Sequence, residues 1–460
     1  YYENKGIITM RNVALHNLGC KVNSYELDVI GQKLEEKGFS IVPFDEVADI
    51  YIINTCSVTN IADRKSRQML HQAKKRNPEA VVVAVGCYVQ TAGERALSDE
   101  AVDLVIGNNR KKDIAEILEE YLRDREGADK TLGGRTVVDI AGETEYEEMR
   151  LVRTAEHTRA YIKIQDGCNQ FCSYCIIPYA RGRVRSRREE DILREVQGLT
   201  ANGFREIVLT GIHISSYGLD FDGRKNPLPG EPFPGGRLLH LLQELDRMEG
   251  LGRIRLGSLE PRIIVPEFAA GLKGIKKLCH HFHLSLQSGC DETLRRMNRH
   301  YTAREYLERV ELLRETFDHP AITTDVIVGF PGESEEEFEK TKRFLEEIRF
   351  YEMHVFPYSR REGTTAAVRK DQVPEPIKKR RSEILLELAK RQSKEFRKNY
   401  IGRNVEVLFE ESREMDGVSC QVGYTAEYIR AAKRTKQDLC GKICAGKLTG
   451  FTEDNLLWFE

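Results

Sequence analysis

The 460-residue sequence lacks features that define whole classes of protein. It has no apolar run of about 18 residues or more, and residues 1–20 lack the apolar centre of a signal peptide. We therefore expect a soluble, cytoplasmic chain without a membrane partner. The formal net charge is only −2 although 31% of the residues are charged, which excludes any argument for nucleic-acid binding from global charge. Such an argument must rest on local basic patches.

The sequence also lacks the pattern of a disulfide-rich secreted protein and the glycine motif of a dinucleotide-binding site. Its 11 cysteines are an odd number in a long chain, which argues against a secreted disulfide scaffold and favours metal or redox chemistry. No GxGxxG follows the first apolar run, so a dinucleotide site there has little support. Hydrophobic residues make up 40% of the chain, enough for real cores, and the length suggests two to four domains.

Residues 11–125 alternate between short apolar runs and amphipathic helical patterns, which predicts a small parallel α/β sheet. The runs are VALHNLGC, DIYIINTC, AVVVAVGC and VDLVIGNN. Three of them end in a cysteine, and we call Cys20, Cys56 and Cys87 the N-terminal triad. Because the carboxyl ends of parallel strands meet at one edge of a sheet, we expect these thiols to converge. Three unligated core thiols are the alternative.

A second α/β series follows a polar, glycine-containing segment at 126–153 that is predicted to be a linker. From 154 to about 385, six strand-like runs alternate with helical patterns, which predicts a partial (β/α)6 barrel, short of the eight units of a complete one. The runs are AYIKIQDG, REIVLTG, RIRLGSLE, HFHLSLQSG, AITTDVIVGF and EMHVFPYS. A Pro- and Gly-rich loop at 218–236 has no assignable role. Residues 386–460 complete a charged helix and then show short alternating runs typical of a small antiparallel β-barrel.

The segment DGCNQFCSYC holds a second group, the barrel triad of Cys168, Cys172 and Cys175, spaced C-x3-C-x2-C. It follows the first strand of the second series, where barrel enzymes place their active sites. Four cysteine thiolates normally hold an iron–sulfur cluster, so three on a four-iron cluster leave one iron open to a substrate or cofactor. A structural zinc site would need a fourth ligand, which no nearby C-x2-C or histidine pair supplies. Unligated core thiols do not suit so polar a loop.

This motif at the end of the first strand of a partial barrel resembles the radical S-adenosylmethionine superfamily. With the N-terminal triad and the small C-terminal barrel, the chain resembles the methylthiotransferase family from about Arg11 to its end. NLGCKVNSYE, NTCSVTNIADRKSRQ and DGCNQFCSYCIIPYARGR are most similar to members that act on N6-threonylcarbamoyladenosine beside the tRNA anticodon. Members that act on isopentenyladenosine typically read GCQMN in the first segment, and those that act on a ribosomal-protein aspartate read GCAKN. Lys21 and Val22 depart from both.

The resemblance implies two [4Fe-4S] clusters and S-adenosylmethionine as cofactors. The barrel triad would hold the cluster whose open iron binds S-adenosylmethionine, and cleavage of this cofactor would yield the radical that removes hydrogen from C2 of adenine. The N-terminal triad would hold an auxiliary cluster that carries the sulfur or methylthio group. The implied domains are an N-terminal domain at 10–125, a radical domain at 154–385, and an RNA-gripping TRAM domain with its preceding helix at 386–460.

The same resemblance predicts contacts to S-adenosylmethionine at the ends of the second to fifth strands of the barrel. Each of these residues taken alone could simply belong to an ordinary turn at the end of a strand. Their recurrence on one rim of the barrel is what favours a cofactor site. The remaining cysteines are expected to be structural. The predicted contacts are Gly211, His213, Ser258, Glu260, Gln287, Ser288, Val328, Gly329 and Pro331.

Basic residues just beyond the barrel triad, in RGRVRSRR, predict a phosphate contact because guanidinium groups donate bidentate hydrogen bonds. A solvated charge run that opens a helix is the alternative. In the C-terminal domain, RNA contacts rest on the resemblance. The candidates are Arg181, Arg183, Arg185, Arg187 and Arg188 in the run, and Arg430, Lys433 and Arg434 in the C-terminal domain.

The expected partners are a tRNA whose anticodon loop bears threonylcarbamoyladenosine and a reducing electron donor, and we expect a monomer. The alternatives within the family are isopentenyladenosine in tRNA and a ribosomal-protein aspartate as substrates. A non-catalytic iron–sulfur sensor that binds RNA is the alternative from a different class. It is disfavoured because sensing clusters are usually fully ligated by the protein.

Overall fold

The structure is a computed structural model in which residues 11–126, 135–152, 158–221, 223, 226–229, 231–415 and 417–460 are described. Residues 1–10, much of the predicted linker and parts of the predicted 218–236 loop lie outside the described residues. Among the described helices, none has the length and apolar character needed to cross a membrane.

The N-terminal sheet has six parallel strands in the order β2-β1-β3-β4-β5-β6, which confirms the predicted parallel α/β sheet. Its strands β3 and β4 are buried at every residue, which explains why they read as continuous apolar runs. Strands β2 and β6 were not predicted because three and two residues are too short to carry a pattern. The strands are β1 Asn12–Asn17, β2 Ser40–Val42, β3 Ile50–Thr55, β4 Val81–Gly86, β5 Leu104–Ile106 and β6 Arg135–Thr136, and the helices are α1 Lys21–Glu36, α2 Asn60–Arg76, α3 Cys87–Ala92, α4 Glu94–Leu97 and α5 Ile114–Glu126.

All six runs predicted for the second series form strands, which we call the central strands. Parallel ladders join β10-β9-β7 and β11-β12-β13, and bridges between Ile254 and Leu278 and between Leu259 and Leu284 connect the two sets. An unpredicted short strand, β8, pairs antiparallel with β7. The strands are β7 Arg159–Asp166, β8 Arg185–Ser186, β9 Glu206–Gly211, β10 Arg253–Leu256, β11 His281–His283, β12 Ala321–Val328 and β13 Glu352–Pro357, and the helices are α6 Ile177–Arg181, α7 Glu189–Ala201, α8 Gly236–Arg247, α9 Pro266–Lys273, α10 Asp291–Arg296, α11 Ala303–Thr316, α12 Glu335–Ile348 and α13 Glu375–Lys398.

Alternate residues of the central strands face opposite sides. On β7, Ala160, Ile162 and Ile164 belong to the same buried cluster as Ile192 and other apolar residues of α7. This outer face therefore carries the helices. We call the opposite side, which bears the alternate polar residues of these strands, the inner face.

Five C-terminal strands close into a barrel in the order β14-β15-β16-β18-β17. Neighbouring strands are antiparallel except β16 and β18, which are parallel. The barrel contacts the central strands through β10, where the Arg253 guanidinium donates to the Glu406 carbonyl (2.7 Å) and Arg255 to the Ala426 carbonyl (2.8 Å). The strands are β14 Asn404–Met415, β15 Val418–Thr425, β16 Arg430–Arg434, β17 Ile443–Phe451 and β18 Leu457–Phe459.

The segment predicted to be a linker has several buried residues in its described part, 135–152. Ile140, Met149 and Leu151 are at most 4% exposed. The Tyr25 hydroxyl donates to the Met149 carbonyl, and the Leu151 N–H donates to Glu195 of α7 (2.9 Å). The linker prediction is therefore wrong for 135–152, because a few buried apolar residues in a polar segment are enough to fix it between the two sheets.

A buried network of charges connects the N-terminal sheet to the central strands. Glu26 on α1 accepts hydrogen bonds from Lys111, from Lys163 on β7 (2.8 Å) and from Arg181 on α6 (2.8 Å), and all four residues are at most 1% exposed. Arg181 also donates to Asp166 (3.2 Å). Burial opposes ionisation of Glu26, but the charges of Arg181, Lys111 and Lys163 hold its pKa well below its usual range. The network needs both sheets and is complete only when they are docked.

Replacing Glu26 by glutamine should destabilise the docked chain, because it leaves buried cations without their shared carboxylate. We expect a loss of about 3–5 kcal/mol in the free energy of unfolding, the range for one partner removed from a buried ion pair. Urea unfolding followed by circular dichroism measures it. Glu36→Gln on the exposed end of the same helix is the matched control and should unfold like the parent. Equal unfolding midpoints for the two variants would contradict the role of the network.

Candidate active site

The barrel triad lies in the loop after β7, as predicted. The loop is tied internally, with the Cys168 N–H donating to the Gly182 carbonyl (3.0 Å) and the Cys175 N–H to the Cys172 carbonyl (2.9 Å). Burial raises the pKa of Cys168 to about 12, with the neighbouring Cys172 as the next cause. Burial, Cys172 and Cys168 likewise raise the pKa of Cys175. The structure thus brings the three sulfur atoms into one electrostatic neighbourhood.

Glycine is required where β7 enters this loop. Gly167 has a φ of +71°, and a Cβ there would lie 1.8 Å from the carbonyl oxygen of Arg183. A side chain would therefore both strain the backbone and collide with the returning chain.

The N-terminal triad also converges, at the carboxyl edge of the N-terminal sheet. A Cβ built on Gly19, the residue before Cys20, would lie 3.0 Å from the Cys56 sulfur. Burial raises the pKa of Cys56 to about 11, and the charges of Cys87 and Cys20 add to it. The three thiols come from the ends of β1, β3 and β4, so the rule that parallel strands share a carboxyl edge predicted their meeting correctly.

The geometry of both triads suits a multi-iron cluster better than a single metal ion. Two sulfur ligands of one zinc ion can be at most about 4.6 Å apart, since each Zn–S bond is about 2.3 Å. Neither triad has all three of its sulfur atoms within 4.8 Å of one another. A [4Fe-4S] cluster spaces its cysteine ligands more widely because each one binds a different iron.

An arginine accompanies each triad. The Arg299 guanidinium donates to the Cys172 sulfur (3.3 Å) and is fixed by the Ser285 carbonyl (3.2 Å) and the Tyr301 hydroxyl (2.9 Å). The charge of Arg181 acts on the N-terminal triad and opposes the rise in the pKa of Cys20 that burial causes. Each arginine supplies positive charge where bound thiolates would concentrate negative charge.

Helix α6 lies between the two triads. It begins two residues after Cys175, and the carbonyl of Ala180 near its end accepts from the Asn108 side chain (2.7 Å). The same Asn108 amide donates to the Cys87 sulfur (3.6 Å). One short helix therefore separates the two predicted metal centres.

Lys21 starts α1 directly after Cys20, and its side chain is exposed. Its ammonium has no ion pair or hydrogen bond with any other described residue. Burial by surrounding protein, together with the charges of Arg255 and Arg159, lowers the pKa of Lys21 to about 8.

Histidines on the inner face lie near Lys21. Burial lowers the pKa of His281 well below its usual range, and Arg255, Lys21, His283 and His354 add to the effect. Nearby, His283 contacts the Asp325 carboxylate (3.2 Å). No sequence pattern predicted that Lys21 and these histidines lie together. The spacing of His281 and His283, two residues apart on one strand, could have placed both on one face.

Several predicted contacts to S-adenosylmethionine lie at strand ends near the barrel triad. Burial, Arg299 and Arg262 lower the pKa of His213 to about 3, and its Nε2 is buried without a partner among the described residues. Gly211 ends β9, Ser258 is exposed just beyond β10, and Gln287 adopts a φ of +73°. The Glu260 carboxylate instead accepts from the Arg262 guanidinium (2.9 Å).

At the other predicted cofactor contacts the side chains are buried or the backbone packs against a helix, so a contact there would have to be made by the backbone and stays a prediction. Ser288 is fully buried, with its hydroxyl 3.1 Å from that of Thr341 on α12. Val328 belongs to the buried outer core, and Pro331 is buried as well. The Gly329 N–H donates to Glu333 (2.6 Å), and a Cβ on this glycine would collide with Lys378 of α13.

The predicted phosphate-binding run divides into buried and exposed arginines. Arg181, Arg185 and Arg187 are at most 1% exposed, so the prediction that they contact phosphate is wrong. Their guanidinium groups face the carboxylates of Glu26, Asp166, Glu148 and Glu195. Arg183 and Arg188 are exposed and keep the predicted role open.

The C-terminal candidates lie on the barrel surface and remain predictions. Arg430 pairs with Glu411, and the Lys433 ammonium lies 5.1 Å from the ring centre of Phe459. Arg434 is exposed and stacks 4.3 Å from the ring centre of Trp458.

Comparison with known proteins agrees with this arrangement. The profile of the radical SAM superfamily matches residues 162–345, and that of the family described as Uncharacterized protein family UPF0004 matches residues 12–107. Among solved structures, the radical S-adenosylmethionine methyltransferase TsrM from Kitasatospora setae has a TM-score of 0.56 at 17% identity, covering 78% of this chain and 74% of that one. Residues 162–345 thus form a radical SAM domain, and the cofactors of this superfamily are a [4Fe-4S] cluster and S-adenosylmethionine.

Curated relatives cover nearly the whole chain. The threonylcarbamoyladenosine tRNA methylthiotransferase of Bacillus subtilis is 40% identical over 95% of this chain and 94% of its own length. The enzyme of the same name from Aquifex aeolicus is 43% identical over 87% and 93%. The tRNA-2-methylthio-N6-dimethylallyladenosine synthase of Carboxydothermus hydrogenoformans is 36% identical over 94% and 95%. The chain belongs to the tRNA methylthiotransferase family.

Arg299 should raise the reduction potential of the cluster held by the barrel triad. A cationic hydrogen-bond donor to a ligand sulfur stabilises the reduced cluster, which carries more negative charge. We expect Arg299→Gln to shift the midpoint potential of this cluster to a more negative value. Redox titration followed by electron paramagnetic resonance measures the shift, in protein that also carries alanine in place of the N-terminal triad. Arg304→Gln, on the exposed face of α11, is the control. An unchanged potential at full iron content would refute the role of Arg299.

Proposed function

We propose that the protein transfers a methylthio group to C2 of N6-threonylcarbamoyladenosine next to the anticodon of a tRNA. The observation that carries the proposal is the pair of cysteine triads, each without a fourth cysteine and separated only by α6. The Bacillus subtilis and Aquifex aeolicus relatives, whose names specify this substrate, support the choice.

The barrel triad would hold one [4Fe-4S] cluster and the N-terminal triad a second. When bound, the clusters would relay the electron of a separate reductant and carry the sulfur, and S-adenosylmethionine would supply the 5′-deoxyadenosyl radical and the methyl group. The protein supplies the geometry. Arg299 holds the Cys172 ligand by a hydrogen bond, and His213 offers a buried, unpartnered nitrogen to the cofactor. Gly211, Ser258 and Gln287 would border the cofactor at neighbouring strand ends.

The domain assignment follows from the same proposal. The six central strands with their helices would be the partial (β/α)6 barrel of a radical domain at 154–385. The closed C-terminal barrel would be the TRAM domain, with RNA contacts at Arg430, Lys433 and Arg434. A separate reductant would supply electrons, and the enzyme would act as a monomer.

The two-cluster assignment predicts about eight irons per chain after anaerobic reconstitution, because each triad would bind four. Replacing Cys20, Cys56 and Cys87 by alanine should leave about four irons and abolish the methylthio product, while S-adenosylmethionine is still cleaved to 5′-deoxyadenosine. Iron assay and mass spectrometry of digested tRNA are the measurements. Cys440→Ala, an exposed cysteine of the C-terminal barrel, is the control and should keep about eight irons. Methylthio product from the triple variant would refute the auxiliary role.

Lys21 favours threonylcarbamoyladenosine over dimethylallyladenosine as the substrate. The threonyl group carries a carboxylate, whereas a dimethylallyl group has no charge. Lys21 provides an ammonium without a partner among the described residues, next to Cys20, and Arg255 and Arg159 add positive charge near it. A buried or half-buried carboxylate needs such a partner, and an alkyl group would leave the ammonium unpaired.

Lys21→Gln should therefore lower kcat/KM for tRNA bearing threonylcarbamoyladenosine by about tenfold or more, since a hydrogen bond to a charged group is lost. The same variant should bind a stem–loop with unmodified adenosine as the parent does. Quenched time-course assays measure kcat/KM, and fluorescence anisotropy measures the affinity for the unmodified stem–loop. Lys33→Gln on the same helix is the control. If Lys21→Gln distinguished the two RNAs as well as the parent does, the carboxylate contact would be wrong.

The dimethylallyladenosine relative supports an alternative substrate, isopentenyladenosine in tRNA. Mass spectrometry of tRNA nucleosides from a strain that lacks its own methylthiotransferases, complemented with this chain, decides between the two. Recovery of only the 2-methylthio derivative of isopentenyladenosine would overturn the proposal in favour of the alternative.

A further inference from the structure

We propose that Phe171, Tyr179 and Arg183 form a stacking platform that holds an unpaired nucleobase of the substrate RNA loop beside the two triads. The inference rests on the proposed function and adds the surface by which the loop is held. The three side chains form a connected group. The Phe171 and Tyr179 ring centres are 5.8 Å apart in an edge-to-face arrangement, and the Arg183 guanidinium carbon lies 4.5 Å from the Phe171 ring centre.

The platform is accessible and its cation is available. Tyr179 is 49% exposed, and Arg183 is exposed as well. The Arg183 guanidinium has no carboxylate or carbonyl acceptor among the described residues. By contrast, Arg181, Arg185 and Arg187 of the same run face carboxylates in the interior. The run thus leaves this guanidinium over an aromatic ring at the surface, where a base or phosphate can reach it.

The backbone holds Phe171 in a conformation that a non-glycine residue seldom adopts. Its φ is +48°, and its carbonyl accepts from the Asn298 side chain (3.1 Å). The left-handed conformation costs free energy that surrounding contacts must offset. Here Asn298 stabilises it, with the result that the ring of Phe171 stands against Tyr179 and not in the core.

The platform lies at the site where the target loop must arrive. Phe171 directly precedes Cys172 of the barrel triad, and Tyr179 lies on α6, which packs against α3. Helix α3 begins with Cys87 of the N-terminal triad. A nucleotide that reaches both centres must therefore pass beside α6 and its exposed tyrosine.

The chemistry of the group fits a nucleobase. Proteins recognise single-stranded RNA loops by splaying bases out and stacking them on aromatic rings and guanidinium planes. Each such stack contributes enough affinity that its removal costs about fivefold to a hundredfold in binding. Stacking tolerates any base, so the platform would position the loop while other contacts select the modified adenosine.

Binding of a fluorescent anticodon stem–loop to the reconstituted holoenzyme tests the platform. We expect Tyr179→Ala to weaken binding at least fivefold, whereas Tyr179→Phe should keep most of the parent's affinity. Both variants should have the iron content and the paramagnetic resonance spectrum of the parent. Phe171→Leu should weaken binding to a similar extent. Phe44→Leu is the control, because it breaks up a similar group of two rings and a guanidinium elsewhere in the chain. The Phe44 ring centre lies 5.6 Å from both the Tyr51 ring centre and the Arg76 guanidinium carbon. This variant should bind the stem–loop like the parent.

An abasic scan of the stem–loop identifies the stacked base. Removing that base should weaken binding to the parent but cause a smaller further loss in Tyr179→Ala, because this variant has already lost the tyrosine's share of the stacking. If every abasic position cost the same in both proteins, or if Tyr179→Ala bound like the parent at full iron content, the platform would be wrong. A parent enzyme that bound no tRNA stem–loop would overturn the proposed function itself, whereas the platform alone fails if the parent binds and the variants bind equally.

Discussion

The buried carboxylate of Glu26 is the contact on which the two-centre arrangement depends. It lies on α1, six residues beyond Cys20, and accepts from Lys163 on β7 and Arg181 on α6. Helix α1, strand β7 and helix α6 each adjoin one of the two cysteine triads. A fully buried set of opposite charges tolerates little displacement, because each ion loses its compensation when its partner moves. The network therefore fixes the N-terminal sheet against the central strands and sets the separation of the two triads.

The same arginine run supplies both structure and surface. Three of its five guanidinium groups point inward and neutralise carboxylates that the docking of the two sheets buries, while Arg183 and Arg188 remain at the surface. This division explains how a chain with almost no net charge can present cations beside its active site. It also shows that a run of like charges in a sequence does not indicate one function for all its members.

Polar groups between the triads divide the work of recognition. Arg299 and Arg181 lie near cysteine sulfur atoms, where their positive charge would balance a bound cluster. Lys21 lies near the inner-face histidines, and no described carboxylate pairs with its ammonium. Phe171, Tyr179 and Arg183 form an outer surface of stacked rings and cation. In the proposed function, the cluster, the substrate group and the RNA loop would thus each meet a different kind of side chain within one stretch of the molecule.

The sequence alone determined the longer strands and the convergence of the N-terminal triad. The long apolar runs of β3, β4 and the central strands predicted these strands directly. The rule that parallel strands share a carboxyl edge was enough to predict that Cys20, Cys56 and Cys87 meet. Strands as short as β2, β6 and β8 carry no period, so they appeared only in the fold. The direction of single side chains was likewise undetermined, because sequence spacing does not say which arginine meets a buried carboxylate or which strand-end residue turns toward a helix. Tertiary structure decided that Arg181, Arg185 and Arg187 are internal, that Ser288 and Val328 face outward into packing, and that Lys21 lacks a described partner, since each outcome depends on contacts between residues far apart in the chain.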